Sequence, residues 1–164
     1  MRYHGILKND VSNGNKFHVS FWVQGCPHRC DGCFNPETWD FNEGKSYTEE
    51  TKKEVIEAIK ANGIVRNLSI LGGEPLAEQN LPMVADLIEG VVEAYPTIEI
   101  YLWTGYYFEQ LNKSNKYIDS ILNKITYLID GPFIKERKNL DLKFRGSDNQ
   151  RIWLRIDENF WKKL

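Results

Sequence analysis

The chain has 164 residues, 41% of them hydrophobic and 13% aromatic, which agrees with one globular domain spanning 1–164 that is long enough to bury a sizeable core. Its 21 basic and 23 acidic residues give a formal charge of -2, so composition offers no case for a nucleic-acid or membrane partner. The start Met1-Arg-Tyr-His-Gly-Ile6 lacks the apolar core of a signal peptide and no apolar run approaches membrane-spanning length, so a cytoplasmic protein is expected.

In chain order, Tyr3 to Leu7 and Phe17 to Val23 carry strand-forming residues. The turn-rich run Asn9 to Asn15 separates them, so the two can pair as a hairpin. His4 and His18 lie on these runs without a ligand-spaced partner and are left outside the site.

Directly after Val23 comes Cys26-Pro-His-Arg-Cys30-Asp-Gly-Cys33, which holds all three cysteines of the chain in a C-x3-C-x2-C spacing. Three thiolates on one loop can take three corners of a metal site or an iron–sulfur cluster, but they cannot fill a tetrahedral site or cap all four irons of a cube. The position left open is what a reactive centre requires and a structural one avoids. A zinc site completed by His28 or a distant histidine is the alternative, although zinc modules usually bring two ligand pairs and no second pair exists. A disulfide would strand one thiol and ask for an oxidising compartment.

Beyond the loop, Ser46-Tyr-Thr-Glu49 reads as a capping box ahead of a helix through Val55, Ile56 and Ile59, ended by Gly63. Asn67 to Leu71 is a short buried strand that runs into Gly72-Gly-Glu-Pro75, with Pro75 starting a helix through Leu81, Val84, Leu87, Ile88 and Val91. Thr97 to Trp103 is a strand, Tyr117 to Lys124 a helix, Ile125 to Ile129 a strand ending in Asp130-Gly-Pro-Phe133, and Ile152 to Ile156 the final strand. Trp103, Tyr106, Tyr107 and Phe108 are read as core.

Strands alternating with helices imply right-handed crossovers and a mostly parallel sheet. A complete eight-unit barrel needs roughly 200 residues or more, so an α/β fold with a partial, open βα barrel is expected. In such sheets ligands sit beyond the carboxyl ends of the strands. The cysteine loop, Gly72-Gly73-Glu74, Thr104-Gly105 and Asp130 all fall there, so four strand ends are expected on one rim. Taken singly, the Gly-Gly pair is an ordinary turn, and Thr104 and Asp130 are ordinary cap or turn residues.

Together these stretches carry a resemblance. The C-x3-C-x2-C loop after the first strands resembles the cluster loop of the radical S-adenosylmethionine superfamily. The run Gly25-Cys-Pro-His-Arg-Cys-Asp-Gly-Cys-Phe-Asn-Pro-Glu-Thr-Trp39 is similar to activating proteins of anaerobic ribonucleoside-triphosphate reductase, and Phe144-Arg-Gly-Ser-Asp-Asn-Gln-Arg-Ile152 matches them too. Gly32 stands where the superfamily often has an aromatic residue, a feature this subgroup shares.

The resemblance implies a 4Fe-4S cluster on Cys26, Cys30 and Cys33, whose unique iron binds the amino and carboxylate groups of S-adenosyl-L-methionine. It implies that Gly72, Gly73 and Glu74 hold the amino group through backbone carbonyls, with Thr104 and Asp130 near the ribose and carboxylate. A one-electron donor such as a flavodoxin-like protein would drive reductive cleavage to a 5'-deoxyadenosyl radical, which generates a glycyl radical on the reductase. Arg145 to Arg151 gains no derivable role from it. A small radical enzyme acting on a small molecule, or a non-enzymatic iron–sulfur or zinc-binding module, are the alternatives.

Overall fold

A computed structural model describes residues 1–164. Strand β1 (Arg2–Asp10) turns back through residues 11–17 into β2 (His18–Val23), and the two-residue β3 (Lys45–Ser46) follows the cysteine loop. Helix α1 (Glu49–Ile59), β4 (Asn67–Gly72), α2 (Leu81–Ala94), β5 (Ile100–Trp103), α3 (Lys116–Leu122) and β6 (Tyr127–Asp130) then alternate. A long loop leads to β7 (Arg151–Arg155) and β8 (Trp161–Lys163). The strands form one sheet in the order β3-β1-β2-β4-β5-β6-β7-β8.

The expectation of a mostly parallel sheet is corrected. Parallel pairing is confined to β2–β4, β4–β5 and β5–β6, while the pairs on either flank are antiparallel, which makes the sheet mixed. Parallel neighbours need a crossover of about a dozen residues or more, usually helical, and only the central links contain one. The 11–17 and 156–160 links are too short, and the 131–150 link has no α-helix to carry the chain across. The sheet stays open, ending at β3 and β8, and no barrel closes.

Local signals moved in two places. Helix α1 is capped by Thr48, whose hydroxyl accepts from the Thr51 amide while the Thr51 hydroxyl accepts from the Thr48 amide; Ser46 lies in β3 instead. Pro75 opens a turn rather than a helix, and α2 begins at Leu81 with Pro82 in its first turn.

Period-2 alternation divides the central strands between two layers. Val19, Phe21, Val23, Leu68, Ile70 and Leu102 are fully buried against the three helices. On the other face, registered rows such as Ser20, Ser69, Tyr101 and Tyr127 carry hydroxyls and rings. No helix covers that face. The 11–17 turn covers its lower end through His18 and Ser69, and the 131–150 loop covers its right flank through Phe144, whose carbonyl accepts a 2.8 Å hydrogen bond from Trp103 Nε1. The upper end remains concave, and this is where the parallel strands end.

His18 shows how tightly the lower end is sealed. It is fully buried, with Nε2 2.8 Å from the Asn15 carbonyl and Nδ1 2.6 Å from the Ser69 hydroxyl, which itself donates to the Asn13 carbonyl. Burial lowers its pKa below the ordinary imidazole value, against the Asn15 hydrogen bond and the charges of Asp10 and Glu99. Because the folded-state pKa is the lower one, the unfolded chain binds more protons near and below the ordinary imidazole value of about 6.5, and stability falls as pH drops through that range. The melting temperature of the metal-free protein should therefore decline between about pH 7 and pH 5. A His18→Gln variant, whatever its absolute stability, should show a shallower decline, and an equal slope in both would contradict this role.

Candidate functional site

The concave upper end of the sheet is a cavity of about 430 Å³, within the usual range for small-molecule sites. Cys26, Cys30, Cys33, Gly72, Gly73, Glu74 and Thr104 all line it, and Trp22, Leu71 and Trp103 supply apolar wall. Asp130 does not line it, although its neighbour Gly131 does. The rim expected from the strand ends exists because β2, β4, β5 and β6 are parallel and finish side by side.

The cysteine loop is pinned at its base. The amides of Gly25 and Cys26 donate to the carbonyls of Thr38 and Trp39 at 2.8 and 3.0 Å, so residues 25–39 form a closed loop. Gln24, 1% exposed, donates to the carbonyls of Glu37 and Asp40 at 3.0 and 2.8 Å. The loop then seats on the next strand end, where the Glu74 amide and the Asn80 side chain both donate to the Gly25 carbonyl. Gly72 has φ of +108° and Gly73 lies so close that a Cβ there would sit 2.5 Å from the Gly25 oxygen. The Gly-Gly pair thus has a demonstrable role in loop packing.

Glu74 joins the rim together. Its side chain is 1% exposed and its carboxylate accepts four hydrogen bonds. Oε1 receives the Leu76 amide and the Thr104 hydroxyl, both at 2.8 Å, while Oε2 receives the Gly105 amide and His28 Nε2, both at 2.7 Å. A carboxylate can only accept, so His28 carries a proton on Nε2. Four donors saturate the group. His28 faces Glu74 and packs edge-on against Tyr106 at 4.5 Å, while His18 and His4 lie elsewhere on the sheet. Thr104 is equally committed, accepting from the Tyr106 amide at 3.2 Å.

Asp130 forms a second buried centre. Its carboxylate accepts from the Phe108 amide at 2.7 Å and from Arg151 at 3.0 and 2.5 Å. Arg151 in turn forks onto Glu109 at 2.9 and 2.7 Å, and its hydrogen bonds hold the Glu109 carboxyl down at about 2. Within the Phe144–Ile152 stretch, Gln150 accepts from the amides of Gly146 and Ser147 and donates to the Gly131 carbonyl, and Asn149 donates to the Pro132 carbonyl. This stretch shapes the loop that leaves β6. Gln24 and Asn80 emerge as site-building residues that the sequence did not single out, while His28, considered there only as a zinc ligand, and Arg151, which had no derivable role, gain theirs from these contacts.

The thiols fit an iron–sulfur cluster by their donor set and setting. Burial pushes Cys26 up to about 11 and also raises Cys30, so a cation is needed to hold both as thiolates near neutral pH. Cys33 Sγ accepts from the Asn35 amide at 3.4 Å, and the backbone at His28 and Arg29 beside Cys26 and at Phe133 beside Cys30 favours the thiolate against burial. Amide donors to sulfur are one of the means by which proteins tune such clusters. No three His, Cys, Asp or Glu side chains converge to hold a single metal ion. The thiols instead border one open cavity, which suits ligation of separate corners of a cube.

Replacing Glu74 by Ala should strand buried donors and cost about 3–5 kcal/mol in the metal-free protein. Urea unfolding measures it, and a cost under about 1 kcal/mol would refute Glu74 as the joint of the rim. Gly73→Val should displace the Gly25 backbone and so impair cluster retention along with any ligand binding.

The comparisons with known proteins cover most of the chain. Residues 12–153 match a family model described as a 4Fe-4S single cluster domain. The chain is 38% identical to the anaerobic ribonucleoside-triphosphate reductase-activating protein of Enterobacteria phage T4 over 99% of both chains. It is 39% identical to that of Vibrio cholerae and 36% to that of Salmonella typhi, each over 93% of this chain and 97% of the relative. With an open-sided cavity bearing three cysteines and full-length similarity of this degree, the chain belongs to the family of anaerobic ribonucleoside-triphosphate reductase-activating proteins.

Proposed function

We propose that this protein is a radical S-adenosylmethionine activase that places a glycyl radical on an anaerobic ribonucleoside-triphosphate reductase. The observation that carries it is the cavity itself, bordered by all three of the chain's cysteines, with no fourth thiolate to close the site. A 4Fe-4S cluster held there would supply, with S-adenosyl-L-methionine bound, one-electron cleavage of the sulfonium to methionine and a 5'-deoxyadenosyl radical that can take a hydrogen atom.

The chain's own contribution is holding and shielding. Cys26, Cys30 and Cys33 would ligate three corners and leave the fourth toward the cavity. Gly72 and Gly73 let backbone lie close to the cysteine loop, so an amino group bound at this turn would meet main chain, because the Glu74 carboxylate is already saturated. Glu74, Thr104 and Asp130 would act on the cofactor indirectly, by fixing the strand-end loops around its cavity. Trp22, Leu71 and Trp103 keep water from the reacting bond.

The target in this proposal is a polypeptide, since an open sheet leaves the cavity exposed on a side that a partner's loop can close. A flavodoxin-like one-electron donor and the reducing cytoplasm complete the setting. No helix is long and apolar enough to cross a membrane.

Each of Cys26→Ala, Cys30→Ala and Cys33→Ala should lose the bound iron and the activity, yet change the stability of the metal-free protein by about 1 kcal/mol or less. Electron paramagnetic resonance of the reductase, incubated anaerobically with this protein, reductant and S-adenosylmethionine, should show a glycyl signal that disappears when the target glycine is alanine. Cofactor cleavage without any protein radical would favour the small-molecule alternative.

A further inference from the structure

The loop between β6 and β7 forms one lip of the cavity and does not share the charge of the chain. Five cations, Lys135, Arg137, Lys138, Lys143 and Arg145, face three carboxylates, Glu136, Asp141 and Asp148, in a protein of net charge -2. Arg137 pairs with Asp148 at 2.5 Å, but Lys135, Lys138, Lys143 and Arg145 form no ion pair. Arg145 borders the cavity, and its guanidinium reaches only the carbonyls of Lys143 and Gln150 at 3.2 and 3.4 Å. Lys138 lies over the Phe34 ring at 5.4 Å and Lys143 over the Phe144 ring at 5.0 Å, which holds the charges beside apolar surface.

That surface is open. Leu140 is 70% exposed and Phe34 51% exposed, and both border the cavity beside Leu142. The lip is nevertheless ordered against the cysteine loop, with Phe133 packed on Phe34 at 4.9 Å and the Ser147 hydroxyl accepting from the Ile134 amide at 3.1 Å. Unpaired cations around exposed aliphatic groups match a partner that brings carboxylates together with an apolar side chain. Polyphosphate chains would gain little from Leu140 and would be repelled by Glu136 and Asp141.

We infer that this lip docks an extended polypeptide segment carrying carboxylates beside an apolar anchor, and that this segment is the part of the reductase presented to the cavity. The inference rests on the activase function proposed above and adds which surface selects the target and by what chemistry. Leu140 seats the anchor, and the lysines steer and align the acidic side chains.

The test measures binding separately from activation. Isothermal titration of the anaerobically prepared activase with its reductase is compared between wild type and a Lys138→Glu/Lys143→Glu double variant, with Leu140→Ser as a second variant. Wild-type affinity should fall as ionic strength rises from about 0.05 to 0.5 M. The double variant should bind about tenfold or more weakly at low salt, with a flatter salt dependence. Leu140→Ser should weaken binding without changing the salt dependence. Cofactor cleavage in the absence of reductase should stay at the wild-type rate in the double variant, whose two lysines do not line the cavity. If wild type generates the glycyl radical while the double variant binds with unchanged affinity and salt dependence, the docking inference falls and the activase function stands. If wild type generates no radical, the activase function falls and the inference with it. Competition of single-stranded DNA with reductase for wild type, abolished in the double variant, would also overturn the inference.

Discussion

The Glu74 carboxylate, buried and fully hydrogen-bonded, is the constraint on which the rest of this site depends. Its four donors come from the cysteine loop, its own turn and the loop after β5, so three strand ends are tied to one group. A buried charge is costly unless every lone pair is satisfied. The same cost makes the arrangement cooperative, because moving any one loop strands the charge for the others. Gly72, Gly73 and Gly105 are the steric counterpart: a Cβ on Gly105 would lie 2.5 Å from the His28 ring, so the loops approach only as glycine backbone. The thiols are thereby presented from a rigid base even though the loop carrying them is itself half-exposed.

A mixed, open sheet gives this base a particular shape. Helices pack on one face through an aliphatic layer, while the other face is plugged below by the 11–17 turn and flanked by the 131–150 loop. The Asp130–Arg151–Glu109 network fastens the 131–150 loop, since Arg151 begins β7 and Asp130 ends β6. What remains is a cavity lined by the cysteine loop, the strand ends and the 131–150 loop, with exposed Phe34 and Leu140 at its border.

The cysteine loop, the central strands and their common rim were legible in the sequence because each is written locally. The C-x3-C-x2-C spacing fits within eight residues, and period-2 runs such as Val19-Phe21-Val23 alternate with helical ones. Of the antiparallel flanks only the β1–β2 hairpin was legible. β3 and β8 have two and three residues, too few for alternation to register, and the 131–150 link gives no local sign of the face it will take. Glu74 could be marked as a site residue, but its commitment to His28, Thr104 and Gly105 spans separations of about 30 to 46 residues and leaves no pattern in a single chain. The same holds for the basic lip, whose charge is cancelled in the total by acidic residues elsewhere.

The central claim is that the position left open by three cysteines is where S-adenosylmethionine is bound and cleaved. Anaerobic reconstitution with iron and sulfide, reduction, and chromatographic quantification of 5'-deoxyadenosine test it most directly. The account predicts 5'-deoxyadenosine and methionine in equal amounts, dependent on the reconstituted cluster. A protein that holds a full four-iron cluster and, when reduced, leaves S-adenosylmethionine intact with and without the reductase would contradict it.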